Sequence, residues 1–257
     1  MDRAIGTGMS PHSAEATREA SPARIGIIGA GRIGHALAVR FSAAGIDVML
    51  SNSRGPESLA ATVASIQNIG AHPAESSAFA RRGAVRAGTV GEAARFGELV
   101  AIAIPPRALP LLTPEPFAGR IVIDANNYYP EPGARLPELD ADEMTSSELL
   151  ASVLSRATVV KAFNTVYFAR LLEDSRPDLP PEQRLAIPVA GDESAAKQKV
   201  IDLIDRIGFT GVDSGSLAAS RRQQPGSPLY AEFAEARRQK RLLTPPRLRE
   251  LLAAPPQ

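Results

Sequence analysis

Short apolar runs of strand length alternate along the chain with segments whose apolar residues recur at helical spacing. The first run, 24–28, precedes Ile33, Leu37 and Phe41, which share one face of a predicted helix. Further strands are predicted at 47–50, 85–90, 98–104, 121–124, 158–162, 186–190 and 210–214, and the main helices at 58–65, 91–96, 107–112, 146–154, 194–207 and 228–240. This alternation predicts an α/β fold class, a Rossmann-type, doubly wound, mainly parallel sheet with a small C-terminal α/β extension.

A glycine-rich turn joins the first predicted strand to the first predicted helix. Its spacing, GxGxxG, is typical of dinucleotide-binding sites in this context. The first glycine permits a tight turn, the second lets backbone approach a pyrophosphate, and the third lets the helix pack closely on the strand. The free N–H groups at the helix start favour an anion. The alternative is a turn that only packs the sheet. The candidate cofactor-binding residues here are Gly29, Ala30, Gly31, Arg32, Ile33 and Gly34.

The end of the second predicted strand bears on the choice between NADP and NAD. NAD sites usually place an acid roughly 20 residues beyond the glycines, but no acid occurs between Val48 and Pro56. Arg54 stands 20 positions after Gly34 instead, and a guanidinium flanked by hydroxyls suits a 2′-phosphate. The sequence therefore favours NADP(H), with a polar turn carrying a solvated arginine as the alternative. The candidate residues here are Ser51, Asn52, Ser53, Arg54 and Ser58.

Composition excludes several kinds of chemistry. The chain has no cysteine, which removes disulfides and thiolate catalysis, and its three histidines lie far apart in sequence, so no metal site is predicted. A net charge of +1 gives no sign of binding to nucleic acid or to a membrane surface. No apolar run approaches the ~20 residues of a membrane span, and residues 1–22 lack the apolar core of a signal peptide. A cytoplasmic protein that acts on a small molecule is the expectation.

Three predicted strand ends carry residues suited to a ligand, which in open α/β sheets binds outside the carboxyl ends of the strands. Ile104 and Pro105 can lay rigid backbone against a ribose and a nicotinamide, and Asn126 offers an amide. Lys161 and Asn164 offer a cation and another amide, and they are the candidate catalytic residues, positioning an acceptor and stabilising its charge. Capped strand ends with polar turns are the alternative.

No general acid stands out in this set, which suits hydride transfer between two bound ring systems, where the protein supplies orientation and excludes water. Tyr128, Tyr129 and Lys161 are the candidate proton donors if the substrate is a carbonyl or an imine. Two other functions therefore stay open: an NADPH-dependent reductase of a small carbonyl or imine, and a non-catalytic protein that binds or senses NADP(H).

Several segments between 24 and 230, among them IGIIGAGRIG, LSNSRGPESL, IVIDANNYY, VVKAFNT and QPGSPLY, resemble one group of bacterial dinucleotide-binding proteins. That group is similar to the NADPH-dependent reductases of the 8-hydroxy-5-deazaflavin coenzyme F420. The resemblance implies hydride transfer between NADP(H) and this deazaflavin or a flavin-like acceptor. By position it implies pyrophosphate contacts from Ala30 to Ile33, 2′-phosphate contacts from Ser53 and Arg54, ribose and nicotinamide contacts from Ile104 and Asn126, and a carboxamide contact from Ala162.

The chain departs from the pattern of this family after Arg54. Archaeal members often carry a lysine a few residues after the arginine, where this chain has Pro56, Glu57 and Ser58.

The chain divides into four predicted parts. They are a disordered arm at 1–22, an NADP-binding Rossmann domain at 23–157, a C-terminal α/β part for the substrate or second cofactor at 158–240, and a flexible tail at 241–257. Residues 71–82 are expected to form a surface insertion. The tail could instead be a dimer arm, so a homodimer is a further possibility.

Overall fold

The computed structural model describes residues 24–69, 82–130 and 135–254. The predicted arm at 1–22, and all of the predicted insertion except residue 82, lie outside the described residues. The strands are β1 Arg24–Ile28, β2 Asp47–Ser51, β3 Val85–Ala87, β4 Leu99–Ile102, β5 Ile121–Asp124, β6 Thr158–Lys161, β7 Ala186–Ala190 and β8 Thr210–Gly215. The helices are α1 Arg32–Ala43, α2 Ala60–Asn68, α3 Val90–Phe96, α4 Pro137–Asp140, α5 Ser146–Val153, α6 Phe168–Glu173, α7 Ser194–Arg206, α8 Pro228–Arg238 and α9 Pro245–Ala253.

These strands form one sheet in the order β3-β2-β1-β4-β5-β6-β7-β8. Neighbouring strands are parallel except β6 and β7, which run antiparallel. The predicted fold class is confirmed, and β7, α7 and β8 form the C-terminal extension beyond β6. The strand order reverses between β1 and β4, so the crevice at their carboxyl ends is where a ligand of such a sheet is expected.

The centre of the sheet is buried on both faces. Every residue of β4 and β5 is buried, as in parallel strands covered by helices on either side. Leu37 and Phe41 of α1 are fully buried, which confirms the predicted inward face of that helix. Thr145 caps α5 in a capping box with Glu148, which fixes where α5 begins against the ends of β5 and β6.

Some boundaries differ from the predicted ones for local reasons. The strand predicted at 85–90 ends at Ala87, because Thr89 already caps α3 with its hydroxyl. The helix predicted at 107–112 is a 3₁₀ helix, Pro106–Leu111, and Pro110 inside it has no N–H to donate.

The C-terminal residues up to 254 differ from the flexible tail expected there. They include α9, in which Leu248 is fully buried, and the preceding Leu243 is fully buried as well. The backbone N–H of Ala186, in β7, donates to the Leu243 carbonyl at 2.8 Å. Pro245 occupies the start of α9, where proline favours a helix, so the prolines at 245 and 246 begin an element instead of breaking one.

Candidate active site

The glycine loop between β1 and α1 contains two glycines that the packing of the protein requires and a third that faces open space. Gly29 has a φ of +106°, and a Cβ there would lie 2.2 Å from the Ala103 carbonyl oxygen. A Cβ at Gly34 would lie 1.8 Å from the Gly29 carbonyl oxygen. The steric roles predicted for these two glycines, a tight turn and close packing of the helix, are therefore confirmed.

Gly31 is different, since its φ of −73° suits any residue and nothing lies within 4 Å of a Cβ built on it. It is the N-cap of α1, and no side chain caps this helix or places an acid in its first turn. The first-turn N–H groups therefore stay available to an anion. A side chain at Gly31 would fill the space in which a pyrophosphate could lie, so the loop fits a dinucleotide.

The polar residues after β2 divide into those that shape the turn and those that stay available. Ser51 is fully buried and donates its hydroxyl to the Ile27 carbonyl at 3.1 Å. The Asn52 amide donates to the Ser58 hydroxyl at 2.9 Å, and that hydroxyl donates to the Gly55 carbonyl at 2.7 Å.

Ser53 and Arg54 complete this turn and are exposed. The Arg54 backbone N–H donates to Asn52 Oδ1 at 2.9 Å, which holds the residue at the tip of the turn. Within the described part of the chain, neither the Ser53 hydroxyl nor the Arg54 guanidinium has a hydrogen-bond or ion-pair partner. These two side chains are thus the ones of the predicted set that remain available to a 2′-phosphate.

A buried polar network joins the carboxyl ends of β4, β5 and β6. Asp124 accepts hydrogen bonds from Lys161 Nζ at 3.0 Å and from the Ser147 hydroxyl at 2.7 Å through one carboxylate oxygen. Its other oxygen accepts from the Asn126 side chain at 2.7 Å. The Asn126 amide oxygen in turn accepts from the Ile104 N–H at 2.7 Å. The network therefore fixes how the three strand ends sit relative to one another.

The Lys161 side chain is buried too deeply to contact a substrate. Its side chain is 1% exposed, and its ammonium also donates to the Asn126 carbonyl oxygen at 2.6 Å. The carboxylate beside it is 0% exposed, so the two charges form a buried ion pair. Asp124 was not among the predicted site residues, although its place at the end of a buried strand, three residues before Asn127, is the signal that could have identified it.

A second network holds the residues that follow β6. Asn164 donates its amide to Asn127 Oδ1 at 3.0 Å and to the Gln223 carbonyl at 2.7 Å. The Asn127 amide donates back to the Asn164 carbonyl at 2.8 Å. The buried Asn164 Oδ1 and Thr165 Oγ1 find no partner among the described residues. Two unpaired buried acceptors at the predicted nicotinamide end are consistent with a missing polar ligand.

The loop after β6 takes an uncommon backbone conformation at Phe163, whose φ is +68°. Its ring is fully buried and meets Phe41 of α1 edge to face, with ring centroids 6.4 Å apart. The left-handed conformation costs a bulky residue free energy, so burial of the ring must offset it. The sharp turn brings the backbone from the buried Lys161 to Asn164 at the cavity wall. Ala162, between them, is fully buried.

A cavity of about 540 Å³ lies beside this loop. Its walls come from the glycine loop, the ends of β5 and β6, α6 and α8. The lining includes five aromatic side chains and three guanidinium groups: Tyr129, Tyr167, Phe168, Tyr230, Phe233, Arg32, Arg170 and Arg237. Among the described residues, no Asp, Glu, His or Lys lines it. The α8 residues escaped the sequence analysis, although Tyr230 closes the QPGSPLY segment.

The three guanidinium groups differ in how they are held. Arg237 lies over the Tyr167 ring at 4.5 Å from its centroid, and Arg32 over the Phe168 ring at 5.2 Å. Arg170 is ion-paired with Asp174 and donates to the Arg241 carbonyl. The cavity wall is therefore positive and aromatic, a combination suited to a flat ligand with anionic groups.

Two comparisons decide the family. A family model described as NADP oxidoreductase, coenzyme F420-dependent, matches residues 24–128. A solved hypothetical protein from Sinorhizobium meliloti is 34% identical, with a TM-score of 0.62, and the match covers 79% of this chain and 90% of that one. The chain belongs to this family of NADP oxidoreductases. The description of this family agrees with the NADP(H)-dependent oxidoreductase that the resemblance implied.

Two further proteins show how far the similarity extends. A protein from Arthrobacter sp. FB24 named as an F420-dependent NADP reductase is 20% identical, with a TM-score of 0.58 over 85% of this chain and 95% of its own, and shares the fold. The metalloreductase STEAP3 of Rattus norvegicus is 29% identical over 212 residues. That match covers 81% of this chain but 36% of STEAP3, so the chain spans about a third of the length of the curated relatives it matches.

Two features of residues 24–69, 82–130 and 135–254 bear on other functions. No helix there is both long and apolar enough to cross a bilayer. No three histidine or acidic side chains come together there as metal ligands would.

Proposed function

We propose that this NADP oxidoreductase transfers a hydride between NADP(H) and a flat, ring-containing acceptor, either the deazaflavin coenzyme F420 or a flavin. The cavity between the glycine loop and α8 carries this proposal. Its volume of about 540 Å³ lies within the range of sites for small organic ligands. It contacts the glycine loop through Arg32 and Ile33, so an acceptor there would be next to a dinucleotide on that loop.

The groups available to NADP(H) are those that make no hydrogen bond or ion pair within the described part of the protein. The open face of Gly31 and the uncapped start of α1 suit the pyrophosphate. Ser53 and Arg54 suit the 2′-phosphate, with Ser51, Asn52 and Ser58 holding the turn that presents them. Ile104 and Pro105 border the ribose and the nicotinamide. When bound, NADPH supplies the hydride.

The two candidate catalytic residues take different roles in this proposal. Asn164 lines the cavity, so it can contact a ligand there directly. Lys161 acts through Asp124 and Asn126, because its ammonium already donates hydrogen bonds to these two residues in the buried network. Ala162, which has no exposed surface, contributes through the turn that it helps to form.

The lining itself argues for an acceptor that needs positioning more than acid–base chemistry. Aromatic side chains offer stacking faces to a ring system, and guanidinium groups attract its anionic substituents. The side chains that most often remove a proton from a substrate are His, Asp, Glu and Lys, and the described cavity lining has none of these four. Orientation and exclusion of water are the contributions that remain for these residues.

A second candidate is the reductase of a small carbonyl or imine. One observation favours it, namely the pair of tyrosine hydroxyls, Tyr129 and Tyr230, in the cavity wall. Either phenol could place a proton near a reduced oxygen or nitrogen.

The experiment is a single assay with several acceptors. Purified protein and NADPH carrying deuterium at either C4 position are incubated with F420, FMN, a quinone, a ketone and a cyclic imine. We expect F420 or FMN to be reduced fastest, and deuterium to appear at the ring carbon of reduced F420. Reduction of the ketone or imine, with F420 and FMN left oxidised, would establish the second candidate instead.

A further inference from the structure

The two cavity tyrosines form a hydrogen-bonded pair with one hydrogen to spare. Their hydroxyl oxygens lie 2.7 Å apart. The Tyr230 oxygen also lies 3.5 Å from the Asn127 amide nitrogen, which donates toward it. The pair holds two hydroxyl hydrogens, and the bond between the phenols uses one. The other has no acceptor among the described residues.

The arrangement of partners indicates which phenol keeps the spare hydrogen. Tyr230 has two partners, Asn127 on one side and Tyr129 on the other, whereas Tyr129 has one. Burial and the hydrogen bond to Tyr129 raise the pKa of Tyr230, with Arg237 acting in the opposite direction, which agrees with Tyr230 as the donor of the hydrogen bond between the two phenols. With Tyr230 as the donor in this pair, the Tyr129 O–H is the one left for a ligand in the cavity that both residues line.

The other candidate proton donors near this edge are already engaged. The Tyr128 hydroxyl donates to Asp140 at 2.6 Å and accepts from the Leu136 N–H at 3.0 Å. The Lys161 ammonium lies in the buried ion pair with Asp124. Of the three candidates from the sequence, Tyr129 is therefore the one that both lines the cavity and has a hydrogen to donate.

We propose that Tyr129 is a catalytic residue that donates a hydrogen bond to the acceptor atom where negative charge develops, and that Tyr230 positions and polarises it. This inference rests on the proposed function. A chain of hydrogen bonds strengthens its last donor, and a fixed donor aimed at developing charge lowers the barrier of the step.

The electrons and protons of the step balance without a further reactant. The acceptor gains the hydride as a new C–H or N–H bond, and it is reduced while NADPH is oxidised. The electron pair that it displaces collects on a ring nitrogen or carbonyl oxygen, next to the Tyr129 O–H. The phenol keeps its proton, and the proton that completes the reduced ring comes from water.

The test compares Tyr129→Phe, Tyr230→Phe and the double variant with the unmutated protein. The matched control is Tyr128→Phe, which removes a phenol that lies in the next position but outside the cavity lining. Thermal unfolding and NADPH affinity are measured for each protein. The first readout is the single-turnover rate of hydride transfer to F420 or FMN, whichever the unmutated protein reduces faster. The second, which needs no turnover, is the dissociation constant of that acceptor in its oxidised and its reduced form under anaerobic conditions.

We expect Tyr129→Phe to slow hydride transfer about 100-fold, the usual effect of losing one such donor. Tyr230→Phe should slow it about tenfold, since the donor remains but loses its partner, and the double variant should match Tyr129→Phe. The reduced acceptor should bind about tenfold more weakly to Tyr129→Phe, because its electron-rich ring nitrogen or carbonyl oxygen loses this hydrogen bond, while binding of the oxidised form changes less than about threefold. NADPH affinity and Tyr128→Phe should stay near the unmutated values.

Two outcomes would overturn the inference, and they are distinguishable. If the unmutated protein reduces F420 or FMN and Tyr129→Phe does so within about twofold of its rate, the pair has no such role and the proposed function stands. If the unmutated protein reduces neither, the proposed function falls and this inference falls with it.

Discussion

Gly31 leaves open the space beside the glycine loop in which a pyrophosphate could lie. Its backbone conformation suits any amino acid, and its Cβ position has no neighbour within 4 Å. Gly29 and Gly34, by contrast, are required by the packing of the protein itself. The fold itself therefore does not require glycine at 31, and we infer that a ligand on the loop does.

The variant Gly31→Val tests this reading. We expect the fold to survive, with an unchanged unfolding temperature, because the new side chain enters open space. NADPH should bind at least tenfold more weakly, which is about 1.4 kcal/mol, because the valine occupies the place of the pyrophosphate. Titration calorimetry measures the affinity. Gly34→Ala is the contrasting variant, in which stability falls because its Cβ would lie 1.8 Å from the Gly29 carbonyl oxygen. Normal NADPH binding by Gly31→Val would disprove the loop assignment.

Arg54 is the second residue whose expected role is to bind a part of the dinucleotide. We expect NADPH to bind at least tenfold more tightly than NADH, about 1.4 kcal/mol, because the exposed guanidinium can pair with the 2′-phosphate. Arg54→Ala should remove most of that difference while leaving NADH affinity unchanged. Arg156→Ala, an exposed arginine that follows α5, serves as the control. Equal affinity of the unmutated protein for both dinucleotides would contradict the assignment.

Between elements, the polar network at the strand ends explains why three separate segments can form one site. Asp124 at the end of β5 binds Lys161 of β6, while Asn126 binds the backbone after β4. The Phe163 turn then carries the chain outward to Asn164. The hydrogen bonds at these strand ends thus fix the positions of the residues that line the cavity.

Breaking this buried ion pair should be costly for stability. Lys161→Met leaves the Asp124 carboxylate buried without its cation, and we expect the free energy of unfolding to fall by about 3–5 kcal/mol. Lys199→Met removes a more exposed cation that pairs with Glu98, and it should cost less than about 1 kcal/mol. Urea unfolding measures both. Combining Lys161→Met with Asp124→Asn should recover part of the loss. Equal costs for the two lysine variants would show that the interior pair does not hold the strand ends.

At the scale of the whole molecule, the order of elements could be predicted from the sequence and their three-dimensional neighbours could not. Apolar runs identified β1, β5 and β7 to the residue. The strand predicted at 98–104 is Leu99–Ile102, because the apolar Ala103 and Ile104 continue past its end. Polar strand ends likewise indicated Asn126 and Asn164. Periodicity carries no information on which distant helix covers a cavity, so the α8 wall and the pairing of Asp124 with Lys161 stayed outside its reach.

The predicted division of the chain also concerns this scale. One sheet runs through the proposed boundary at 157/158, since β5 and β6 pair from Ile121 with Thr158 to Asp124 with Lys161. The separation into an NADP-binding part and an acceptor part therefore stays a prediction about function. The cavity draws its lining from both parts.

The C-terminal segment has a structural role that its charge and its prolines did not indicate. Leu248 of α9 is fully buried against the C-terminal strands, and the nearby Leu243 lines the cavity. Arg222, just before α8, donates to the carbonyls of Leu251 and Leu252 and so anchors the end of α9. A segment held by burial and by hydrogen bonds should contribute to the stability of the whole molecule.

We expect Leu248→Ala to lower the free energy of unfolding by about 2–5 kcal/mol, the usual range for a buried leucine. Leu111→Ala is the matched control, since that side chain is 80% exposed and its removal should change stability by no more than about 0.5 kcal/mol. Urea unfolding followed by circular dichroism gives both values. Because α9 packs on β7 and β8, Leu248→Ala should also weaken binding of the acceptor more than binding of NADPH, whose candidate residues lie on the other half of the sheet. Equal stability of the two leucine variants would show that the last helix is dispensable and that the expected flexible tail describes its role better.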